Sequence, residues 1–125
     1  RDLKPENLLL ADETPESTVK IADFGTSHLM DAESSLMTEP AGTLQYIAPE
    51  ILKMRSGGGY DRQCDVWSLG VILYILVSGR PPFSGKTEKK LSAAIKKGAY
   101  SPLPEAVSAP CRRIIQRMLW VDPAE

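Results

Sequence analysis

Apolar positions come in short runs at the start of the chain and in helical spacing toward its end. Leu8 to Leu10 and Val19 to Ala22 are brief apolar runs, and Ala11 to Thr18 between them is rich in Asp, Glu, Thr, Pro and Ser. That pattern predicts two short strands joined by a polar turn. Thr26 to Ala41 is polar and has no clear period, which predicts a long surface loop of the kind that more often carries function. Pro49 suits the first turn of a short helix through Met54, and Ser56-Gly57-Gly58-Gly59 would end it.

The strongest helical pattern runs from Asp61 to Val77. It is apolar nearly all round from Val66 onward, so it is expected to be buried on every side and to stop at Pro81-Pro82. Thr87 is placed to cap a helix carrying Leu91, Ala94 and Ile95 on one face. Lys89, Lys90, Lys96 and Lys97 lie elsewhere on it, and Gly98 ends it. Ser108 is placed to cap another helix, with Ile114, Ile115, Met118 and Leu119 inward and Pro123 following. The fold class expected is mainly α with a small β-hairpin.

Bulk properties narrow the function classes. The chain has 125 residues, 42% hydrophobic and 25% charged, as in a soluble globular domain. Fifteen basic residues against sixteen acidic ones give a net charge of −1, which argues against a general nucleic-acid binder. Cys64 and Cys111 form neither a disulfide framework nor a metal cluster, so reduced thiols and a cytoplasmic or nuclear location are expected. The apolar run Leu69 to Val77 is too short to span a bilayer, so no membrane partner is expected. No repeat or low-complexity tract is present.

The candidate chemistry lies near the start. Arg1-Asp2-Leu3-Lys4-Pro5-Glu6-Asn7 is followed, sixteen residues after Asn7, by Asp23-Phe24-Gly25, and later by Ala48-Pro49-Glu50. Phosphoryl transfer needs a base near the attacking hydroxyl, cations on the phosphates, and groups that hold those cations. Asp2 suits the base, Lys4 a point charge beside the transferring phosphate, and Asn7 and Asp23 hard oxygen ligands for Mg²⁺. Gly25 permits the turn presenting Asp23, while Phe24 is expected to turn into the core. Each motif alone is weak: a lone Asp is usually a surface or capping residue, and Asp-Phe-Gly is a common turn. Their ordered joint occurrence is specific.

In order and spacing these residues resemble the large lobe of a eukaryotic serine/threonine protein kinase domain, over the whole chain. The resemblance implies ATP and Mg²⁺ as cofactors and protein substrates with Ser or Thr acceptors. It casts residues 1–125 as a partial domain: catalytic loop, activation segment 23–50, central helix about 61–77 and two following helices. The small lobe and the end of the large lobe would lie outside, and the isolated fragment is expected to be inactive. By the same resemblance Leu8, Leu9 and Leu10, with Ile72 and Leu76, match the floor beneath adenine and its support, with Leu9 assigned to nucleotide binding. Gly42-Thr43-Leu44-Gln45-Tyr46-Ile47-Ala48-Pro49-Glu50 matches the segment that receives the residue after the phosphoacceptor. Thr43 would then bond near Asp2 and Lys4, and Tyr46 would belong to the substrate-facing segment. Asp65 would hold the backbone of the catalytic loop, and Glu50 would pair with an arginine beyond Glu125.

Lys4-Pro5-Glu6 and Thr43 set the chain apart from tyrosine kinases, and Thr26 after Asp-Phe-Gly favours threonine acceptors. Arg1 beside Asp2 marks the subclass ordered by a phosphate on the activation segment. The usual acceptor position is Glu39, expected to lie near Arg1 as a partial substitute, with Thr38, Ser34 and Ser35 as nearby hydroxyls. The run Gly70 to Phe83 looks most like the calcium/calmodulin-dependent kinase group, so calcium-linked or calmodulin regulation is implied by resemblance only; no EF-hand loop is present. In cyclic-nucleotide-type relatives an acidic residue stands where this chain has Ile75, leaving Glu6 as a partial contact for a basic substrate side chain. The rival readings are a pseudokinase or docking module, opposed by intact Asp2, Lys4, Asn7 and Asp23, and a small-molecule phosphotransferase. The Gly42–Glu50 segment and the Asp65 helix oppose the latter.

Overall fold

The computed structural model describes residues 1–30, 36–54 and 58–122. Ser34, Ser35, Ser56, Gly57 and Pro123 therefore lie outside the described residues. Two short strands open the fold, β1 (Leu8–Leu10) and β2 (Val19–Ile21), followed by α1 (Pro49–Lys53), α2 (Gln63–Ser78), α3 (Glu88–Lys97) and α4 (Ala109–Met118). A mainly α chain with one small hairpin is what the residue pattern implies.

The strands pair antiparallel, with Leu8 opposite Ile21 and Leu10 opposite Val19. The polar turn between them is closed by its own side chains: Asp12 accepts from the Thr14 amide at 2.9 Å, and the Asp12 amide donates to Ser17 Oγ at 2.9 Å. The Ala22 N–H donates to the Asn7 carbonyl at 2.9 Å in register with the ladder, so the pairing continues one residue past Ile21. That single bond ties the hairpin to the loop carrying Asp2 and Lys4.

The caps read from the sequence are present. Thr87 accepts from the Lys90 amide and Ser108 from the Cys111 amide, satisfying donors that a helix start leaves unpaired. Asp61 does the same for α2 from outside the helix, accepting from the Gln63 amide at 2.8 Å. The end of α2 differs from expectation. Gly79 adopts a left-handed conformation (φ 71°) and donates to the Ile75 carbonyl, so the helix is already over before Pro81-Pro82.

α2 packs on α4, and α1 packs on α3. Cys64, Trp67, Ser68, Val71 and Tyr74 recur every three or four residues and form the buried face of α2. Trp67 stacks on Phe83, with ring centroids 5.5 Å apart, and Tyr100 meets both Phe83 and Tyr74 edge-on. Burial on every side is not what α2 achieves. Val66, Leu69 and Leu76 are exposed, Leu76 by 75%, because the described elements pack against only one side of the helix. Each large apolar side chain left in water forgoes about 1.5–3 kcal/mol relative to full burial. Ile114 is also outward, at 53% exposure. α4 turns its Cys111–Ile115–Leu119 line inward, and one residue's 100° rotation carries Ile114 off that line.

α4 packs directly on the bare backbone of α2 at Gly70, where a β-carbon would lie 2.7 Å from Met118 Cβ. Gly70→Ala is therefore expected to destabilise by about 1–3 kcal/mol through overpacking. A thermal melt of the variant with an unchanged midpoint would contradict this packing.

Candidate active site

The loop from Arg1 to Asn7 is folded back on itself by one 3₁₀ turn at Pro5–Asn7, in which the Asn7 amide donates to the Lys4 carbonyl at 2.9 Å. The turn buries Asn7 and aims its amide nitrogen at the Asp2 carbonyl, 2.9 Å away. With Nδ2 used as a donor to the loop, Asn7 Oδ1 is the atom left to act as a ligand.

Asp2 is the centre of the site. Its Oδ2 accepts from Lys4 Nζ at 2.8 Å, and its Oδ1 accepts from both the Thr43 amide (2.8 Å) and the Thr43 hydroxyl (2.7 Å). Lys4 Nζ also donates to Thr43 Oγ1 at 3.1 Å, closing a three-residue ring. Partial burial alone would push the Asp2 carboxyl up. The hydrogen bonds from Lys4 and Thr43, with the Lys4 charge, outweigh it and hold the group below the usual carboxylate range. Lys4 is raised in turn, chiefly by its bond to Asp2, with Glu6 and Asp23 adding attraction. Asp2, Lys4 and Asp23 thus share one electrostatic neighbourhood.

Thr43 reaches Asp2 because of the glycine before it. Gly42 has φ 114°, and a β-carbon there would sit 2.8 Å from the Arg1 carbonyl oxygen, so only glycine lets the segment run this close to the loop. Below Thr43 the segment is pinned to α2. Ser68 Oγ donates to the Tyr46 carbonyl at 2.8 Å, and the Tyr46 amide donates to the Thr43 carbonyl. The Tyr46 phenol is pushed up by burial, with the Glu6 charge adding to the effect and Lys4 opposing it. From the same helix Asp65 Oδ1 lies 3.3 Å from the backbone nitrogen of Arg1.

Asp23 adopts φ 59° and its Oδ1 accepts from the Gly25 amide at 3.1 Å, the sharp turn anticipated from the glycine. Phe24 departs from expectation. It is 68% exposed, and none of the described core covers it. Leu9 is half exposed on β1 and Leu76 is exposed, while Ile72 is buried.

The Arg1 side chain also differs from its expected use. Its Nε donates to the Thr26 carbonyl, and its Nη1 reaches Tyr60 Oη at 3.2 Å and the Glu39 carbonyl at 3.4 Å. Glu39 is beside Arg1, but the contact is through its backbone and not its carboxylate. Thr38 and Glu39 are both exposed. Tyr60 carried no functional signal in the sequence; an aromatic residue after a glycine run reads only as core. Ser68 was equally silent, a small residue within an apolar helix.

Glu50 has no ion pair among the described residues, and burial raises its carboxyl above the usual range. It borders a cleft of about 830 Å³ with Trp67, Arg113, Arg117 and Trp120. Trp67 Nε1, also at this cleft, has no hydrogen-bond partner among the described residues.

The lowered Asp2 carboxyl fixes a sign. A group depressed by folding stabilises the fold above the usual carboxylate range, and that contribution disappears as pH falls through its lowered value. The melting temperature of the protein should therefore exceed that of Asp2→Asn near pH 7, and the gap should narrow toward about pH 3. A gap that stays constant across this range would show that folding does not lower the Asp2 carboxyl.

Comparison with known proteins agrees with this geometry. The protein kinase domain family matches residues 1–125. The chain is 43% identical over 136 residues to ribosomal protein S6 kinase alpha-4 of Homo sapiens, covering 100% of this chain and 17% of that protein, and the Mus musculus form gives the same figures. It is 45% identical over 126 residues to the probable serine/threonine-protein kinase fhkC of Dictyostelium discoideum, covering 98% of this chain and 21% of that protein. The chain thus spans about a fifth of the length of these relatives. With its full length matched and Asp2, Lys4 and Thr43 in one hydrogen-bonded ring, the chain belongs to the protein kinase domain family.

Proposed function

We propose that the protein containing this chain transfers a phosphoryl group from ATP to serine or threonine hydroxyls of protein substrates. One observation carries the reading: Thr43, from a segment 41 residues downstream, bonds Asp2 through both its amide and its hydroxyl while Lys4 bridges the two. A carboxylate held charged by Lys4 and Thr43 is suited to orient an incoming hydroxyl and to accept its proton as the bond to phosphorus forms. Lys4 is the cation nearest to where the transferred group would pass. The kinship to serine/threonine kinases supports the acceptor class.

The donor set fits Mg²⁺. Asn7 keeps Oδ1 as a ligand atom, and Asp23 follows Ala22, whose amide is bonded to the Asn7 carbonyl. Two hard oxygen ligands, with phosphates and water completing the shell, are what this ion commonly takes from a protein. Bound there with ATP, it would neutralise charge on the phosphates. Glu6, whose charge is felt by both Lys4 and Tyr46, is the group offered to a basic substrate side chain. Leu9, half exposed on β1, is the apolar surface offered to adenine.

Two measurements on the full-length protein test this reading. Asp2→Asn is expected to lower kcat by about 10²- to 10⁴-fold with little change in nucleotide affinity, since it removes the base and leaves Asn7 and Asp23 in place. Asp23→Ala should instead abolish productive Mg-ATP binding. Small, equal effects would sink the assignment of roles. In a peptide library, phosphate should appear on serine and threonine with a lean to threonine, given Thr26 after Asp-Phe-Gly. A product dominated by phosphotyrosine would refute the acceptor class.

A further inference from the structure

Tyr60 is the group whose arrangement goes beyond this reading. It joins the start of the chain to residues 37–39, both far from it in sequence. Its backbone pairs with Met37 as an isolated antiparallel bridge, with N–H···O distances of 2.7 and 3.0 Å. Its hydroxyl donates to the Glu39 carbonyl at 2.7 Å and accepts from Arg1 Nη1 at 3.2 Å. The ring is 3% exposed and Met37 is 4% exposed, so the bridge and the hydroxyl contacts are rooted in the core.

Among the described residues, the acceptors that the Arg1 guanidinium bonds are all neutral: the Thr26 and Glu39 carbonyls and the Tyr60 hydroxyl. Among the described residues no carboxylate forms an ion pair with it. The Arg1 guanidinium is thus held to the segment by hydrogen bonds to neutral groups. The seat lies close to the chemistry. Glu39 is four residues before Thr43, and a chain this short spans at most about 3.3–3.6 Å per residue. Fixing the Glu39 carbonyl therefore limits where Thr43 can go, and Thr43 holds Asp2.

We propose that Tyr60 is a positioning residue: its hydroxyl locks the Glu39 carbonyl to Arg1, docking the activation segment on the catalytic loop through hydrogen bonds to neutral groups. The proposal rests on the kinase reading for its effect on turnover, but not for its effect on the segment. The plain alternative is that Tyr60 serves only as core, and its ring would then do everything required.

Tyr60→Phe separates the two, because it keeps the ring and removes only the hydroxyl. The test uses full-length protein, dephosphorylated and checked by mass. Amide exchange over residues 36–43 is expected to rise in Tyr60→Phe, with the melting temperature little changed. Peptide-substrate kcat/KM should fall about tenfold, the scale of one lost buried hydrogen bond, with KM for ATP unchanged. Glu39→Gln keeps the backbone carbonyl and should keep the protection of residues 36–43. Unchanged exchange in Tyr60→Phe would overturn the lock. So would a rise in exchange across the whole chain with a falling melting temperature, or equal opening in Glu39→Gln. A local opening with unaltered peptide kinetics would overturn the positioning role. Exchange is read without turnover, so unmodified protein that transfers no phosphate would refute the proposed function and leave the exchange comparison to decide the lock.

Discussion

A carboxylate drawn out of water must be met by donors or it will not stay charged, and Asp2 is met by donors from two places at once. Lys4 comes from its own loop, whereas both Thr43 donors come from 41 residues away. Docking of the segment containing Thr43 therefore helps hold the Asp2 carboxyl below its usual range. Everything that fixes that segment, from the approach of Gly42 to the Arg1 carbonyl to the bond from Ser68 to the Tyr46 carbonyl, acts on Asp2 at one remove. Folding and the electrostatics of the site are one problem here.

α2 is the post to which both parts are tied. Asp65 sits against the backbone nitrogen of Arg1, and Ser68, three residues on and on the same side, holds Tyr46. The loop and the segment are thus referred to the same turn of one helix, itself locked by Trp67 on Phe83 and by Gly70 against Met118. Residues that look like core in α2 set the geometry of residues that look like chemistry elsewhere.

Much of this was legible in the residues, and the exceptions share a cause. The hairpin and the capped starts of α3 and α4 follow from local signals, whereas the partnership of Thr43 with Asp2 and Lys4 was implied only by the resemblance to kinases. Phe24, Ile114 and the outer face of α2 did not follow, because an apolar residue signals a tendency to be buried without naming what will bury it. Gly79 ended α2 before Pro81 could, since a left-handed glycine acts at the helix end itself. Tyr60 and Ser68 were silent because they work through hydroxyls to backbone carbonyls, and a carbonyl partner has no letter in the sequence.

That silence bears on how Arg1 is read. An arginine next to a catalytic aspartate suggests a phosphate partner, because the guanidinium fork matches phosphate well and charge assistance strengthens the bond. Neutral acceptors give weaker bonds, but several of them aimed by a rigid frame can hold the same fork. Here the frame is Tyr60, buried and paired through its backbone to Met37, so the ordering cost is met when the core forms. On this physical account it is the burial of Tyr60, and not a charged partner among the described residues, that holds the segment against Arg1.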